Sequence, residues 1–188
     1  VLCDHFVLLD TERNRELLSA YGQYLKVEGD EVQPRSEFIT LLHGDIREEA
    51  IQKRISQVDI ILSTSVFEHL DDVSGITKAL AKLTASQGIH LHFVDLRDHF
   101  FKYPFEMLKY SESVWKNFLN PTSNLNRYRW NDYKQVFEEN FGQVNITVIE
   151  RLVEEFNKVK TKIRPEFKTG DENVDAVTLI HVIAKQPK

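Results

Sequence analysis

The sequence predicts an α/β domain built on a mostly parallel sheet whose last strand runs antiparallel. Three observations lead there. Strand-like and helix-like runs alternate along most of the 188 residues, the pattern of α/β layers. Val58 to Leu62 is short, apolar and β-branched, as in a strand buried on both faces. Val174 to Ala184 is a long apolar run after a long return segment, which places it between neighbouring strands and reverses it.

The elements follow in order. His5 to Leu9 is a strand candidate ending at Asp10, and Glu12 to Lys26 is a helix candidate with Leu17, Leu18, Tyr21 and Leu25 at helical spacing. Gly29 to Ser36 is polar, carries Pro34 and reads as a loop. Phe38 to Leu42 is the next strand candidate, ending at Gly44-Asp45, and Arg47 to Gln57 a short helix. After the Val58 strand, the Asp71-Asp72 pair is placed to cap a helix over Val73 to Thr84, with Ile76, Leu80 and Leu83 on one face. Gln87-Gly88 stops that helix. Ile89 to Val94 is a strand ending at Asp95.

From Leu96 to Tyr128 the alternation pauses. This stretch carries eight aromatic residues and Pro104 and Pro121, and is expected to be a helical, aromatic lid at about 96–128. Asn131 to Asn140 is helical, Asn145 to Ile149 a strand, and Leu152 to Ile163 a helix. The whole, 1–188, reads as a single domain.

Composition narrows the function. A net charge of −5 weighs against nucleic acid as a partner. No apolar run approaches the ~20 residues of a membrane span, and no leader peptide is visible. The one cysteine, Cys3, excludes a disulfide framework and a cysteine zinc cluster. A cytoplasmic location is the expectation. The chain opens at Val1-Leu2-Cys3, already apolar and without methionine, which reads as an amino-terminally truncated chain.

The candidate site follows from the Val58 strand. It breaks into Ser63, Thr64 and Ser65 and continues Phe67-Glu-His-Leu-Asp-Asp72. Open α/β sheets place ligands outside the carboxyl ends of their strands, so the site is expected at Ser63 to His69.

The ordered set resembles a class I S-adenosylmethionine-dependent methyltransferase of the small-molecule type. Its carriers are Leu8-Leu-Asp10, Gly44-Asp45-Ile46, Val58-Asp-Ile-Ile-Leu-Ser63 with Phe67-Glu-His-Leu-Asp-Asp72, and Leu83-Thr-Ala-Ser-Gln-Gly-Ile89. Asn126-Arg-Tyr-Arg-Trp-Asn-Asp-Tyr133, opening the helix that ends at Asn140-Phe-Gly142, is also similar. The family's glycine turn of G-x-G-x-G type is missing from this sequence, so the resemblance implies a chain that begins at the family's second strand. It implies a Rossmann-like methyltransferase three-layer sandwich with S-adenosyl-L-methionine as cofactor.

Residue by residue, the resemblance implies that Asp10 accepts both ribose hydroxyls, with Asp4 a rival for that place. A carboxylate suits a diol because it offers two acceptor oxygens and no donor. Asp45 receives the adenine amino group, Ile46 packs on the adenine ring, and Ser63 contacts the cofactor. The plainer reading of both acids is a helix N-cap. Asp95-Leu-Arg-Asp98-His99 faces the acceptor, with His99 as candidate catalytic base; the plainer reading is that Asp98 and His99 pin the lid. His69 is a second candidate base or a structural residue. Arg127 and Arg129 are either anion ligands or solvated surface. His90 and His92 share a strand face with no carboxylate at metal spacing and read as structural, so no metal is expected. The implied activity is methyl transfer to a small-molecule acceptor at a hydroxyl oxygen, and a homodimer is compatible with it. The alternative is a non-catalytic α/β domain with a degenerate cofactor site, acting as a binding or scaffold module.

Overall fold

The computed structural model describes residues 12–28, 31–101, 103–120 and 125–188. The strand expected at His5 to Leu9 lies outside these. The described chain forms two compact units, one ending at Asp45 and one running from Ile46 to Lys188.

In the first unit, helix α1 (Glu12–Tyr21) ends before Gly22 and is followed by a hairpin of β1 (Leu25–Glu28) and β2 (Glu31–Pro34). Leu25 pairs with Pro34 and Val27 with Val32. The expected helix to Lys26 is therefore shorter, and the expected loop carries a strand. Arg35 Nε donates to the Leu25 carbonyl at 3.0 Å, closing the hairpin mouth. Phe38 to Leu42 is not a strand. An apolar, β-branched run becomes a strand only where a partner supplies a ladder, and none among the described residues pairs with it.

The second unit holds a four-stranded sheet. Helix α2 (Glu49–Gln52) is a single turn, shorter than expected, and leads into β3 (Val58–Thr64). Helix α3 (Val73–Leu83) then precedes β4 (Thr84–Asp95). The aromatic segment contributes a 3₁₀ turn at Glu106–Lys109, the short α4 (Glu112–Val114) and a π-helical turn at Trp115–Leu119. Helix α5 (Trp130–Asn140) runs straight into β5 (Phe141–Arg151). Helices α6 (Val153–Val159) and α7 (Glu172–Asp175) precede β6 (Val177–Pro187).

The strand order is β3-β4-β6-β5. β3 and β4 are parallel, and β6 is antiparallel to both β4 and β5. Three strands therefore share one direction and the reversed last strand sits between two of them, as its apolar run predicts. It starts at Val177, not Val174, because Asp175 turns away to take the N–H and hydroxyl of Thr169, each at 2.8 Å.

Local chemistry explains the joints. Asp72 caps α3, its Oδ1 accepting from the Gly75 N–H at 2.8 Å, and Arg47 holds its Oδ2 at 2.8 Å. A Cβ on Gly75 would stand 2.1 Å from that carboxylate, so only glycine lets the cap close. Gly88 does a different job from the expected helix stop. The helix has already ended at Leu83, and Ala85 to Gly88 loop out between the pairs Val58–Thr84 and Ile60–Ile89. A Cβ on Gly88 would come within 2.5 Å of the Thr84 methyl and 3.1 Å of the Val58 carbonyl; the glycine serves a close approach.

One face of the sheet packs on α3 and α5 through Phe67, Val73, Val94, Tyr133, Phe137, Phe141, Val182 and their neighbours. The aromatic segment builds a second core with α6, in which Phe105, Met107, Leu108, Trp115 and Leu125 meet Phe156 and Ile163. Ile60 and Leu62, expected to be buried, are 58% and 71% exposed. They alternate to the face opposite α5, and β3 is the end strand of the described order. Among the described residues no helix is long and apolar enough to cross a membrane, and no cluster of histidine, cysteine or acid is placed to hold a metal.

Candidate functional site

Two parallel strands end together. Thr64 pairs with Phe93, so Ser63 on β3 and Asp95 on β4 finish at the same rim of the sheet. Just beyond, Ser65 takes φ 52°, a left-handed conformation rare for a residue with a Cβ, while its N–H donates to the Phe93 carbonyl at 3.0 Å. The strand thus turns sharply at the point where sheet ligands gather.

Below that turn, Ser63 Oγ stands 2.8 Å from His92 Nδ1. His92 Nε2 is 3.1 Å from His90 Nδ1, and His90 Nε2 is 2.7 Å from Thr84 Oγ1. Thr84 Oγ1 in turn donates to the Leu80 carbonyl at 2.8 Å. Burial lowers the pKa of His90 to about 4 and that of His92 to about 3, the second also through the neighbouring His90 and His181. Both imidazoles are therefore neutral at ordinary pH. Both are hydrogen-bonded into the site through Ser63.

The turn after β3 carries Glu68 and His69. The Glu68 side chain is 1% exposed, and among the described residues neither carboxylate oxygen has a hydrogen-bond partner. Burial raises its pKa, against the pull of its own N–H and that of Asp95 and of the nearby His69 and His99. Asn126 fixes this turn: its Nδ2 donates to the carbonyls of Phe67 and Leu70 at 2.7 and 2.8 Å, and its N–H to that of Glu68 at 2.7 Å.

Asp95 is gripped by Arg97, with Nε 2.9 Å from Oδ1 and Nη2 2.6 Å from Oδ2. Burial opposes its charge, but these bonds outweigh it and hold its pKa below the usual carboxylate range. His99 Nε2 lies 3.5 Å from Asp95 Oδ2, and its ring centroid is 5.4 Å from that of His69. Asp98 accepts from the N–H groups of Phe100 and Phe101 at 2.8 and 2.9 Å, so it does pin the start of the aromatic segment.

The other sequence candidates fall out as follows. Asp10, like Asp4, lies outside the described residues. Asp45 belongs to the first unit and follows Gly44 at φ 151°, a backbone that favours glycine. Ile46 opens the second unit, its carbonyl accepting from Gln52 Nε2 at 2.9 Å. Ser63 and His99 share the β3/β4 rim.

Arg127 and Arg129 are buried, not solvated. Arg127 donates to the Met107 and Tyr110 carbonyls at 3.1 and 2.6 Å and pairs with Glu112. Arg129 donates to the carbonyls of Leu96, Asp175 and Val177, with Leu96 at 2.8 Å, and burial lowers its pKa to about 10, so it stays charged. A cleft of about 630 Å³, within the range of small-molecule sites, is lined by Asp71, Trp115, Asn126, Tyr128 and Phe167 among others. Ser63, Asp95 and His99 are not among its walls; Asn126 links it to the Glu68 turn.

No protein-family model and no curated protein matches the chain. Among solved structures it is similar to a protein of Galdieria sulphuraria described as a sarcosine dimethylglycine methyltransferase, at 12% identity and a TM-score of 0.48, over 94% of this chain and 65% of that one. It is also similar to phosphoethanolamine N-methyltransferase 2 of Haemonchus contortus. One structure of that protein holds phosphomonomethylethanolamine and S-adenosylhomocysteine, at 12% identity and a TM-score of 0.38. Another holds S-adenosyl-L-methionine, at 11% identity and a TM-score of 0.39. Both cover 69% of this chain, which spans only 34% and 33% of theirs. These are distant likenesses.

Proposed function

We propose that this chain carries S-adenosylmethionine-dependent methyl transfer to a hydroxyl of a small molecule, with 1–188 acting as one domain. The observation that supports it most is the meeting, at one strand-end rim, of Ser63 with His99 beside an ionised Asp95. The residues fit such a cofactor in kind. Ser63 offers acceptor lone pairs. When bound, the cofactor supplies a methyl group on a positively charged sulfur.

The protein's own residues supply position and a proton acceptor. Ser63 holds the cofactor and Ile46 packs on the adenine ring. His99 turns Nε2 toward Asp95, which leaves Nδ1 as the lone pair for the acceptor hydroxyl. As the hydroxyl oxygen gains the methyl, its proton moves to that nitrogen, and Asp95 stabilises the imidazolium. The segment at about 96–128, which carries His99, supplies further walls for the acceptor.

Calorimetry with S-adenosylhomocysteine, followed by transfer of labelled methyl groups to a panel of small alcohols, phenols and amines, tests this. Binding with transfer to oxygen is the expected result. Transfer to amines alone would remove the hydroxyl assignment. No binding at millimolar ligand would favour a non-catalytic module.

A further inference from the structure

The chain of bonds from Ser63 to Leu80 has a direction. Thr84 Oγ1 lies 2.8 Å from the Leu80 carbonyl, which can only accept, so the threonine proton is spent there. Its oxygen must then accept from His90, 2.7 Å away, which puts the proton of that ring on Nε2. A neutral imidazole with Nε2–H has a bare Nδ1. His90 Nδ1 therefore accepts from His92 Nε2–H across 3.1 Å. His92 is left with a bare Nδ1, and the group 2.8 Å from it is the Ser63 hydroxyl, which must donate. The rings are wholly buried and neutral, so no second proton disturbs the order. Phe67 and Phe137 pack on His92, and Phe141 on His90, which fixes both rings.

We propose that Thr84, His90 and His92 make Ser63 Oγ a fixed hydrogen-bond acceptor at the β3 rim, so that this position takes a ligand group that donates a proton and turns away a carboxylate or phosphate oxygen. A serine normally serves either role by rotating its hydroxyl. Here its one proton is committed to His92, and only lone pairs remain. A donor bound to them polarises the whole chain and strengthens it. An acceptor placed there would face lone pair against lone pair. Thr84, His90 and His92 are positioning residues, since they act through Ser63. The identity of the donor rests on the methyl-transfer reading, because S-adenosylmethionine offers both an ammonium group and ribose hydroxyls; the direction of the chain does not rest on it.

Nitrogen NMR of the histidine rings tests both parts. In the wild-type protein both rings should be protonated at Nε2 and bare at Nδ1. In Thr84→Val both should populate the other tautomer, and Thr84→Ser should restore the original one. A protonated Nδ1 on His92 in the wild-type protein overturns the proposal without any variant. S-adenosylhomocysteine should then shift the His92 Nδ1 resonance, and the shift should vanish in Ser63→Ala. Adenosine, which lacks the ammonium group, separates the two donors: a shift with both ligands assigns the hydroxyls, a shift with the first alone the ammonium. Binding seen by calorimetry with no movement at His92 defeats the proposal and leaves the cofactor reading standing. Absence of binding defeats the cofactor reading, and methylammonium against acetate at the same resonance then decides the role of Ser63. Movement with acetate and none with methylammonium would overturn it.

Discussion

His99 Nε2 stands 3.5 Å from Asp95 Oδ2, the same oxygen that Arg97 Nη2 holds at 2.6 Å. Arg97 keeps the carboxylate ionised, and the carboxylate orients the histidine. The separation is an ion-pair distance and not a closed hydrogen bond, and such contacts tighten in the complex with substrate. His99→Ala should therefore spare cofactor binding and slow turnover by about a hundredfold or more. Asp95→Asn should slow it less, since the histidine then loses the carboxylate that orients it. Calorimetry with single-turnover rates measures both. Unchanged turnover in His99→Ala would leave the histidine a structural partner of Asp95.

The buried histidines make the fold sensitive to acid. Unfolded, each takes a proton near its ordinary value of 6.5; folded, His90 does so only at about 4 and His92 at about 3. Between pH 6.5 and 4 the unfolded chain binds more protons, so stability falls as pH falls. Each ring contributes a slope of up to about 1.4 kcal/mol per pH unit. Asp95, with its lowered pKa, adds a loss in the same direction at still lower pH. Glu68 opposes them: its pKa is raised, so its contribution is full in acid and fades as pH rises. Urea midpoints should drop steeply from pH 6.5 to 4, and His90→Gln with His92→Gln should flatten the drop. A flat profile in the wild-type protein would mean that the rings protonate within the fold.

Much of the rim was legible because strand ends are local. The break from Leu62 to Ser63 and the cap at Asp72 are each written in a few adjacent residues, and the reversed last strand in one long apolar run after a long return segment. What was not legible depends on which strand lies beside which. Alternation puts His90 and His92 on one face but cannot bring Ser63, 29 residues away, to 2.8 Å. Phe38 to Leu42 has strand composition and no ladder partner among the described residues. Arg127 and Arg129 look like surface charge because arginine usually is, and only the packed loops reveal the carbonyls they serve. Glu68 gives no sign in the sequence that its carboxylate will be buried.

Asn126 is expected to matter more than an ordinary loop asparagine. Its side-chain nitrogen satisfies two carbonyls at the Glu68 turn, and its Oδ1 accepts from the Tyr128 N–H at 3.1 Å and the Tyr133 hydroxyl at 3.3 Å. Asn126→Ala takes the side-chain donor from the Leu70 carbonyl and leaves the Phe67 carbonyl with only the Leu70 N–H at 3.3 Å, at a cost of roughly 1–3 kcal/mol. Asn126→Asp should cost more, because it puts an acceptor against acceptors. Denaturation in urea reads both. A loss below about 0.5 kcal/mol, the level of a neutral surface change, would show that water replaces the amide and that the turn is not held by it.

Arg129 decides whether charge or shape ties the two cores together. Its guanidinium donates to the carbonyls of Leu96, Asp175 and Val177 and lies over the Phe105 ring at 5.7 Å. These contacts join the end of β4 to the start of β6, while the Arg129 N–H is held by Asp132 Oδ2 at 2.7 Å and starts α5. Burying the charge is costly, and only the planar fork recovers that cost by reaching several carbonyls at once. Arg129→Met removes the charge together with the bonds, and should cost about 1–3 kcal/mol for carbonyls left unpaired. Arg129→Lys keeps the buried charge on a single ammonium that cannot span the same oxygens, and should be the worse of the two. Urea unfolding of the pair at one pH gives the order directly. A lysine variant more stable than the methionine variant would show that positive charge, and not the geometry of the fork, holds Leu96 to Val177.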